Sequence, residues 1–347
     1  MLSVFAVAVE VTMILTLVGL SRGMLDDSAR RARGVGADIW VRPPGSSVIG
    51  LSSSPMSQGI VGLLEKQPGV ALAMGSVVHP IEGVDSVTGI DFEKFDRMSG
   101  GLKFISGGPF RNEDDVIIDD RLARQQGLGV GSTLRMLNRD WRVCGVVEPG
   151  KLARKMVRID HLQQLTGNTA KITQVLVKLT NPAEVDAKVA GLRKLLPEYR
   201  IYSIEEFTSL FSINNVPGLR PFIFVVVLVA VIVGFLVVFL SMYTAVLERT
   251  REIGILKSMG ASPGYILGIL MRETFLLAAA GSALGIVLTF GTRALVSLLA
   301  AASLTQMIVP DWWPIAAGIS IAGAVLGAAY PGWKAVRQDV LEALSYE

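Results

Sequence analysis

Glu248 to Ser262 reads E-R-T-R-E-I-G-I-L-K-S-M-G-A-S, a compact charged segment set between two long apolar runs. Phe222 to Leu240 on one side carries no charge, and Thr274 to Thr292 on the other carries none. Either run can cross a bilayer as a helix, which takes about 20 apolar residues. The segment between them is too polar to face lipid, so it forms a short turn on one side of the membrane. Read as a helix over about Arg249 to Met259, it sets Ile253, Leu256 and Met259 near one side and places Arg249 three residues before Glu252. That is an amphipathic knob rather than a catalytic loop. On composition alone it is equally a cytoplasmic loop whose Arg and Lys fix topology.

The chain has 347 residues, 51% of them apolar and 18% charged, with a mean hydropathy of +0.50. These values suit a membrane protein with a substantial soluble part. A net charge of +3, scattered along the chain, gives no footprint for nucleic acid. The single cysteine, Cys144, rules out an intramolecular disulfide and neither places nor excludes an oxidising compartment. In W-R-V-C-G-V-V it alternates with apolar residues, as a buried strand thiol does. His79 and His161 lack H-x-x-x-H or C-x-x-C company, so a metal site has no support.

Met1 to Leu20 is apolar apart from Glu10; without a basic n-region or an A-x-A site it reads as an uncleaved membrane helix. Ser21 to Arg33 continues it as a stalk. From there to Gly218 the pattern is α+β. Strands are expected at Ala37–Val41, across Val70–Ile90, and at Val116–Asp119, Thr133–Leu137, Trp141–Val147, Thr173–Leu179 and Arg200–Ser203. Helices are expected at Gln58–Lys66, Asp120–Gln126 and Pro182–Leu196. The run from Phe222 to about Val246 is β-branched enough for a strand but far too long for one, so length decides for a helix. A third span covers about Tyr265 to Ser297. Asp311-Trp312-Trp313-Pro314 starts a fourth, and Tyr330-Pro331-Gly332-Trp333 marks its end. Gly281 and Gly285, and again Gly323 and Gly327, stand four apart, the spacing that lets membrane helices pack closely within one chain or between two copies.

Glu248, Arg249, Arg251, Glu252, Ile253, Gly254, Gly260 and Ala261 stand as in the coupling helix of the MacB/FtsX/Lol permease family, which this stretch resembles. D-D-R-L-A-R-Q-Q-G-L-G-V-G-S-T-L followed by W-R-V-C-G-V-V resembles that family's extracytoplasmic domain, and the closing W-K-A-V-R-Q-D-V-L-E-A-L resembles its ending. The resemblance covers nearly the whole chain. It implies the permease subunit of an ABC transporter working by mechanotransmission, DevC-like in having no fused ATPase. ATP and Mg would be bound by a separate ATPase subunit, with no cofactor in this chain. A second permease copy, a periplasmic adaptor protein and membrane lipids are the other implied partners, and the substrates would be lipid, lipoprotein, peptide or drug-like. The residues implied for ATPase coupling are Glu248, Arg249, Arg251, Glu252, Ile253, Gly254, Ile255, Leu256, Met259 and Gly260. One alternative is an FtsX-like signalling subunit that activates a cell-wall hydrolase; another is a membrane receptor with no ATPase.

The loop after the second span carries Arg249, Arg251 and Lys257, the tail carries Lys334 and Arg337, and Ala300 to Asp311 carries no Lys or Arg. The positive-inside rule then puts the large domain outside the cytoplasm, against the vote of Arg22, Arg30, Arg31 and Arg33, and the resemblance implies a multi-pass protein of the bacterial inner membrane with that domain periplasmic. Glu10, Arg272 and Glu273 are charges within the spans, and a Glu10–Arg272 pair linking spans one and three is expected. Gly145 to Leu152, G-V-V-E-P-G-K-L, approaches a phosphate loop but lacks its final Ser or Thr. No catalytic motif is present. The fold expected is four transmembrane α-helices with a large two-lobed α+β extracytoplasmic domain between helices 1 and 2. Its boundaries are 1–21, 22–218 (the domain and stalk), 219–247, 248–262 (the coupling helix), 263–299, 300–311, 312–333 and 334–347.

Overall fold

The computed structural model describes residues 2–46, 54–81, 85–299 and 304–337. The described chain folds into two compact units: those residues within Met24–Pro217 build an α+β unit, and 2–23, Gly218–Leu299 and 306–337 build a helical one. Helix α1 (Leu2–Arg33) runs unbroken and contributes to both.

The α+β unit continues with β1 (Ile39–Arg42), β2 (Met56–Ser57), α2 (Gly59–Glu65), β3 (Val70–Pro80), β4 (Ser86–Ile90), α3 (Phe92–Ser99) and β5 (Phe104–Gly107). Then come β6 (Asp115–Asp119), α4 (Asp120–Gln126), β7 (Thr133–Met136), β8 (Arg139–Val147), β9 (Lys155–Arg158) and α5 (Ile159–Leu165). β10 (Lys171–Ile172), β11 (Gln174–Leu179), α6 (Val185–Leu195), β12 (Arg200–Ser203) and α7 (Ile204–Ser209) complete it. Ten strands form one sheet in the order β12-β1-β11-β3-β4-β9-β6-β8-β5, with β7 on β8, while β2 and β10 pair separately.

The expected two lobes are halves of this one sheet. The long strand β3 joins them: Val70–Ser76 pairs with β11, and Val77–Pro80 pairs with β4. Successive side chains point to opposite faces of a strand. Ile39, Val41, Val175 and Val177 therefore enter one core, with Leu64 of α2, Leu162 of α5 and Leu192 of α6. Trp40, Met74 and Leu176 enter the other, with Phe95 of α3 and Phe207 of α7. Each core also draws on β6, through Ile118 and Ile117 respectively, so both faces are buried from one half to the other.

Short helices here are set by their caps. The Asp91 carboxylate accepts from Lys94 N–H and Gly100 closes α3 in the left-handed region; Asp119 and Gly127 do the same for α4. In S-I-E-E-F, Ser203 and Glu206 form a reciprocal capping box that starts α7. Helices α3, α5 and strands β5, β9 were not among the elements expected from the pattern, although Asp91 and Gly100 bracket α3.

The helical unit adds α8 (Leu219–Glu248), α9 (Thr250–Ser258), α10 (Pro263–Leu299) and α11 (Trp313–Arg337). Four helices, α1, α8, α10 and α11, are long and apolar enough to cross a membrane. Helix α11 runs through Pro331 to Arg337 instead of ending at Trp333. Membrane-type helices tolerate such a proline when neighbours pack its weakened turn, and here a Cβ on Gly332 would lie 3.0 Å from Leu267 Cδ1 of α10. Arg22 at the end of the first span pairs with Asp311 before the fourth at 2.6 Å.

Candidate functional site

The segment quoted at the outset folds as a stop, a short helix and a restart. Helix α8 ends at Arg249, whose backbone leaves helical geometry (φ −101°, ψ 15°), and the Thr250 hydroxyl donates to the carbonyls of Val246 and Leu247 at 3.0 and 2.8 Å. At the far end of α9, Gly260 N–H reaches the Lys257 carbonyl and Ala261 N–H the Leu256 carbonyl, both at 3.0 Å. With Gly260 at φ +90°, this is a Schellman closure, which needs a left-handed residue just past the helix. Ser262 then caps α10, its hydroxyl accepting from Tyr265 N–H at 3.3 Å, and Pro263 fills the first turn.

Helix α9 packs on α8 and α11 and buries Thr250, Ile253 and Gly254. Its other surface is open: Arg251 and Glu252 are exposed, and so are Ile255 and Met259, at 44% and 71%. Leu256 is half-buried, so the expected apolar side grades from a seated Ile253 to a free Met259. Glu248 and Leu247 extend the open surface onto the last turn of α8. Gly254 lies in the seat and Gly260 in the closing turn.

The expected Glu10–Arg272 pair does not form. Glu10 is 5% exposed, lies beside Ser320 of α11, and turns its Oε2 onto Gly234 of α8, where a side chain would collide with it. Arg272 is exposed, and its neighbour Glu273 pairs with Arg249 at 3.2 Å. The reason is register. A Cβ on Gly281 would lie 2.8 Å from the Val4 carbonyl, and one on Gly285 2.7 Å from the Ala8 carbonyl. Glu10 therefore stands level with the residues just past Gly285, and Arg272 is more than three turns away along α10, at about 5.4 Å per turn.

These glycines bring helices of one chain together. Gly281 and Gly285 meet α1, and Gly327 meets the Phe235 carbonyl of α8, 2.8 Å from where its Cβ would be. At Gly323 a Cβ would find ordinary contact with Val231 at 3.5 Å. Thr12 Oγ1 donates to the Gly285 carbonyl at 3.0 Å, and Thr16 and Thr292 hydroxyls lie 3.0 Å apart.

In the α+β unit the phosphate-loop look-alike has other work. Lys151 Nζ donates to the Ser99 and Gly101 carbonyls at 2.8 and 2.5 Å, and its burial lowers the ammonium pKa below the ordinary value. Leu152 N–H donates to the Arg31 carbonyl of α1 at 3.0 Å. His161 lies edge-on to Trp141, with Nε2 2.9 Å from Asp114 Oδ1.

Sequence comparison extends this picture. The profile for the MacB-like periplasmic core domain matches residues 1–195, and that for the FtsX-like permease C-terminal region matches residues 224–340. The uncharacterized ABC transporter permease YknZ of Bacillus subtilis is 34% identical over 152 residues, covering 43% of this chain and 37% of the relative. The macrolide export ATP-binding/permease protein MacB of Escherichia coli is 23% identical over 381 residues, covering 100% of this chain and 58% of the relative. The chain thus spans well under two-thirds of the length of these curated relatives. The crystal structure of the periplasmic region of MacB from Actinobacillus actinomycetemcomitans is 17% identical, covering 54% of this chain and 97% of its own, with a TM-score of 0.39. With one profile covering more than half of the sequence and a second taking up the helices that follow, the chain belongs to the MacB/FtsX family of ABC-transporter permeases.

Proposed function

We propose that this chain is a permease subunit that transmits the motion of an ATPase, lying outside these 347 residues, to its own α+β unit. ATP and Mg belong to that ATPase; α9 is the element that meets it. The observation that carries this reading is the two-sidedness of α9. One face is seated on α8 and α11, and the opposite face presents Arg251, Glu252, Ile255 and Met259 to a partner. A helix fixed at both ends by tight closures and seated on the bundle moves as a body, so force on its open face reaches the spans. Helix α1, shared by both units, is the unbroken element through which the spans then act on the α+β unit.

In this reading α9 and the end of α11 are cytoplasmic and the α+β unit is outside, handling lipid, lipoprotein, peptide or drug-like substrates together with a second permease copy and an adaptor. The test is co-purification of the ATPase with the intact chain and with Arg251→Glu and Glu252→Arg, both exposed. Loss of the ATPase from folded variants supports the reading. Undiminished co-purification overturns the role of α9, and capture of a cell-wall hydrolase in place of an ATPase points to the signalling alternative.

A further inference from the structure

A ladder of rings runs up one side of the helical unit and ends in two cations that α9 does not use. On α8, Phe235 and Phe239 lie 6.2 Å apart between ring centres, and Phe239 and Tyr243 6.3 Å apart, both nearly parallel. Across on α11, Tyr330 is 6.0 Å from Phe239 and 6.3 Å from Trp333. Lys334 Nζ lies 5.1 Å from the Tyr243 ring centre and 3.3 Å from its hydroxyl. The Arg337 guanidinium lies 4.2 Å from the centre of the Trp333 ring. Neither cation has a carboxylate partner among the described residues. Tyr330 and Trp333 are 55% and 47% exposed, and Phe235, Phe239 and Tyr243 are half-buried, so the ladder is open on its α11 side.

We propose that Tyr243, Trp333, Lys334 and Arg337 form a binding site for the headgroup of an anionic phospholipid, with an acyl chain lying along Tyr330, Phe239 and Phe235. Two neighbouring cations and a phenol hydroxyl supply donors for a phosphate, and the ring faces hold the cations in place without consuming their charge. The shape of the site selects a lipid over a soluble anion or a protein. Phe235 lies two turns below Tyr243, about 12 Å deeper along α8, within a run that carries no charge; an acyl chain reaches there and a soluble ligand does not. Aromatic residues capped by Lys and Arg are at home where hydrocarbon meets headgroups. The site requires the four helices to span a membrane, as in the function proposed above, but no ATPase.

The experiment uses the purified full-length chain equilibrated with equal amounts of phosphatidylglycerol and phosphatidylcholine, with retained lipid read by native mass spectrometry. Preferential retention of phosphatidylglycerol is expected. Lys334→Gln and Arg337→Gln should each lower it about fivefold, and together roughly thirtyfold, since a basic residue near an anionic surface contributes about a factor of five. Lys334→Arg should keep it. Equal retention of both lipids by the unaltered protein overturns the site, and so does undiminished preference in the folded double variant. The unaltered protein decides alone should the double variant fail to insert. Lipid preference without ATPase capture sinks only the coupling role of α9; ATPase capture without lipid preference sinks only this site.

Discussion

Asp27 of α1 and Arg154, just before β9, form a buried ion pair, Oδ2 to Nη2 at 2.6 Å, with their side chains 8% and 4% exposed. The same carboxylate accepts from Arg121 of α4 at 2.8 Å and lies 3.5 Å from Arg31. With Arg30 Nη2 3.9 Å away as well, one acid in the last turns of α1 is held among four guanidinium groups, of which Arg121 and Arg154 come from elsewhere in the α+β unit. Breaking a buried pair from one side strands a charge, which costs about 3–5 kcal/mol. Asp27→Ala should lower the stability of the α+β unit by that amount in urea unfolding, whereas Arg124→Ala, whose exposed guanidinium pairs with Asp120 at 2.8 Å one turn away, should cost no more than about 0.5 kcal/mol.

Asp119, the cap of α4, is buried, and desolvation raises its carboxyl pKa above the ordinary 3.8 against the pull of Leu122 N–H and Arg154. A raised folded value means that the folded state binds the proton more readily. The stability this group contributes is therefore complete below about pH 4 and falls as pH rises through the folded value. Asn still caps a helix, so Asp119→Asn removes the titration and keeps the cap. Stability of the unaltered protein minus that of the variant should fall from pH 4 to pH 7. A rise across that window would mean that the Arg154 pair outweighs burial.

Two glycines of α10 should respond in opposite senses to alanine. At Gly281 a Cβ would lie 2.8 Å from both the Val4 carbonyl and Val7 Cβ, so backbone must move. Overpacking of that kind costs about 1–3 kcal/mol. At Gly291 a Cβ meets nothing within 4 Å, and alanine gains up to about 1 kcal/mol of helix propensity. Thermal unfolding in detergent should therefore show Gly281→Ala melting below the unaltered protein and Gly291→Ala at or slightly above it.

Charge reversal separates the pair that forms from the one that does not. Arg249 and Glu273 are 53% and 37% exposed, so their bridge is worth at most about 1 kcal/mol. Glu273→Arg should lose that much in a denaturation midpoint, and adding Arg249→Glu should recover it. Arg272→Glu should leave the midpoint within about 0.5 kcal/mol, with no rescue of Glu10→Arg.

Cys144 should be a slow thiol. It is half-buried in β8 with Sγ 3.5 Å from the Val116 carbonyl, and burial first, then Asp115, push its pKa from 9.0 up to about 12. At pH 8 that leaves about a thousandfold less thiolate than an ordinary cysteine has. Maleimide labelling of the folded protein should be correspondingly slow and become fast in urea, which leaves the background clear for engineered cysteines on α9 that report its side of the membrane.

Local signals in the chain were legible where their physics is local. Gly260 and Ala261 stop α9, Ser262 and Pro263 start α10, and Asp119 and Gly127 bracket α4, each through hydrogen bonds within a few residues. Strands β5 and β9 were missed; it is their pairing with β8, β4 and β6, set by distant parts of the chain, that makes them strands. Lys334 and Arg337 were read only as topology signals: the ring partner of Lys334, Tyr243, lies on another helix, and that of Arg337, Trp333, stands one turn earlier on its own.

The sequence by itself determined the apolar spans, the charged segment between two of them and the α+β character of the rest, because length, periodicity and capping act along the chain. The tertiary structure alone decided that the apparent lobes share one sheet through β3, that Asp27 meets Arg154, and that Glu10 faces Gly234 instead of Arg272. Asp27 and Arg154 are 127 residues apart. The Glu10 register follows from where glycine lets α10 settle against α1, a matter of close packing between surfaces that no local pattern encodes.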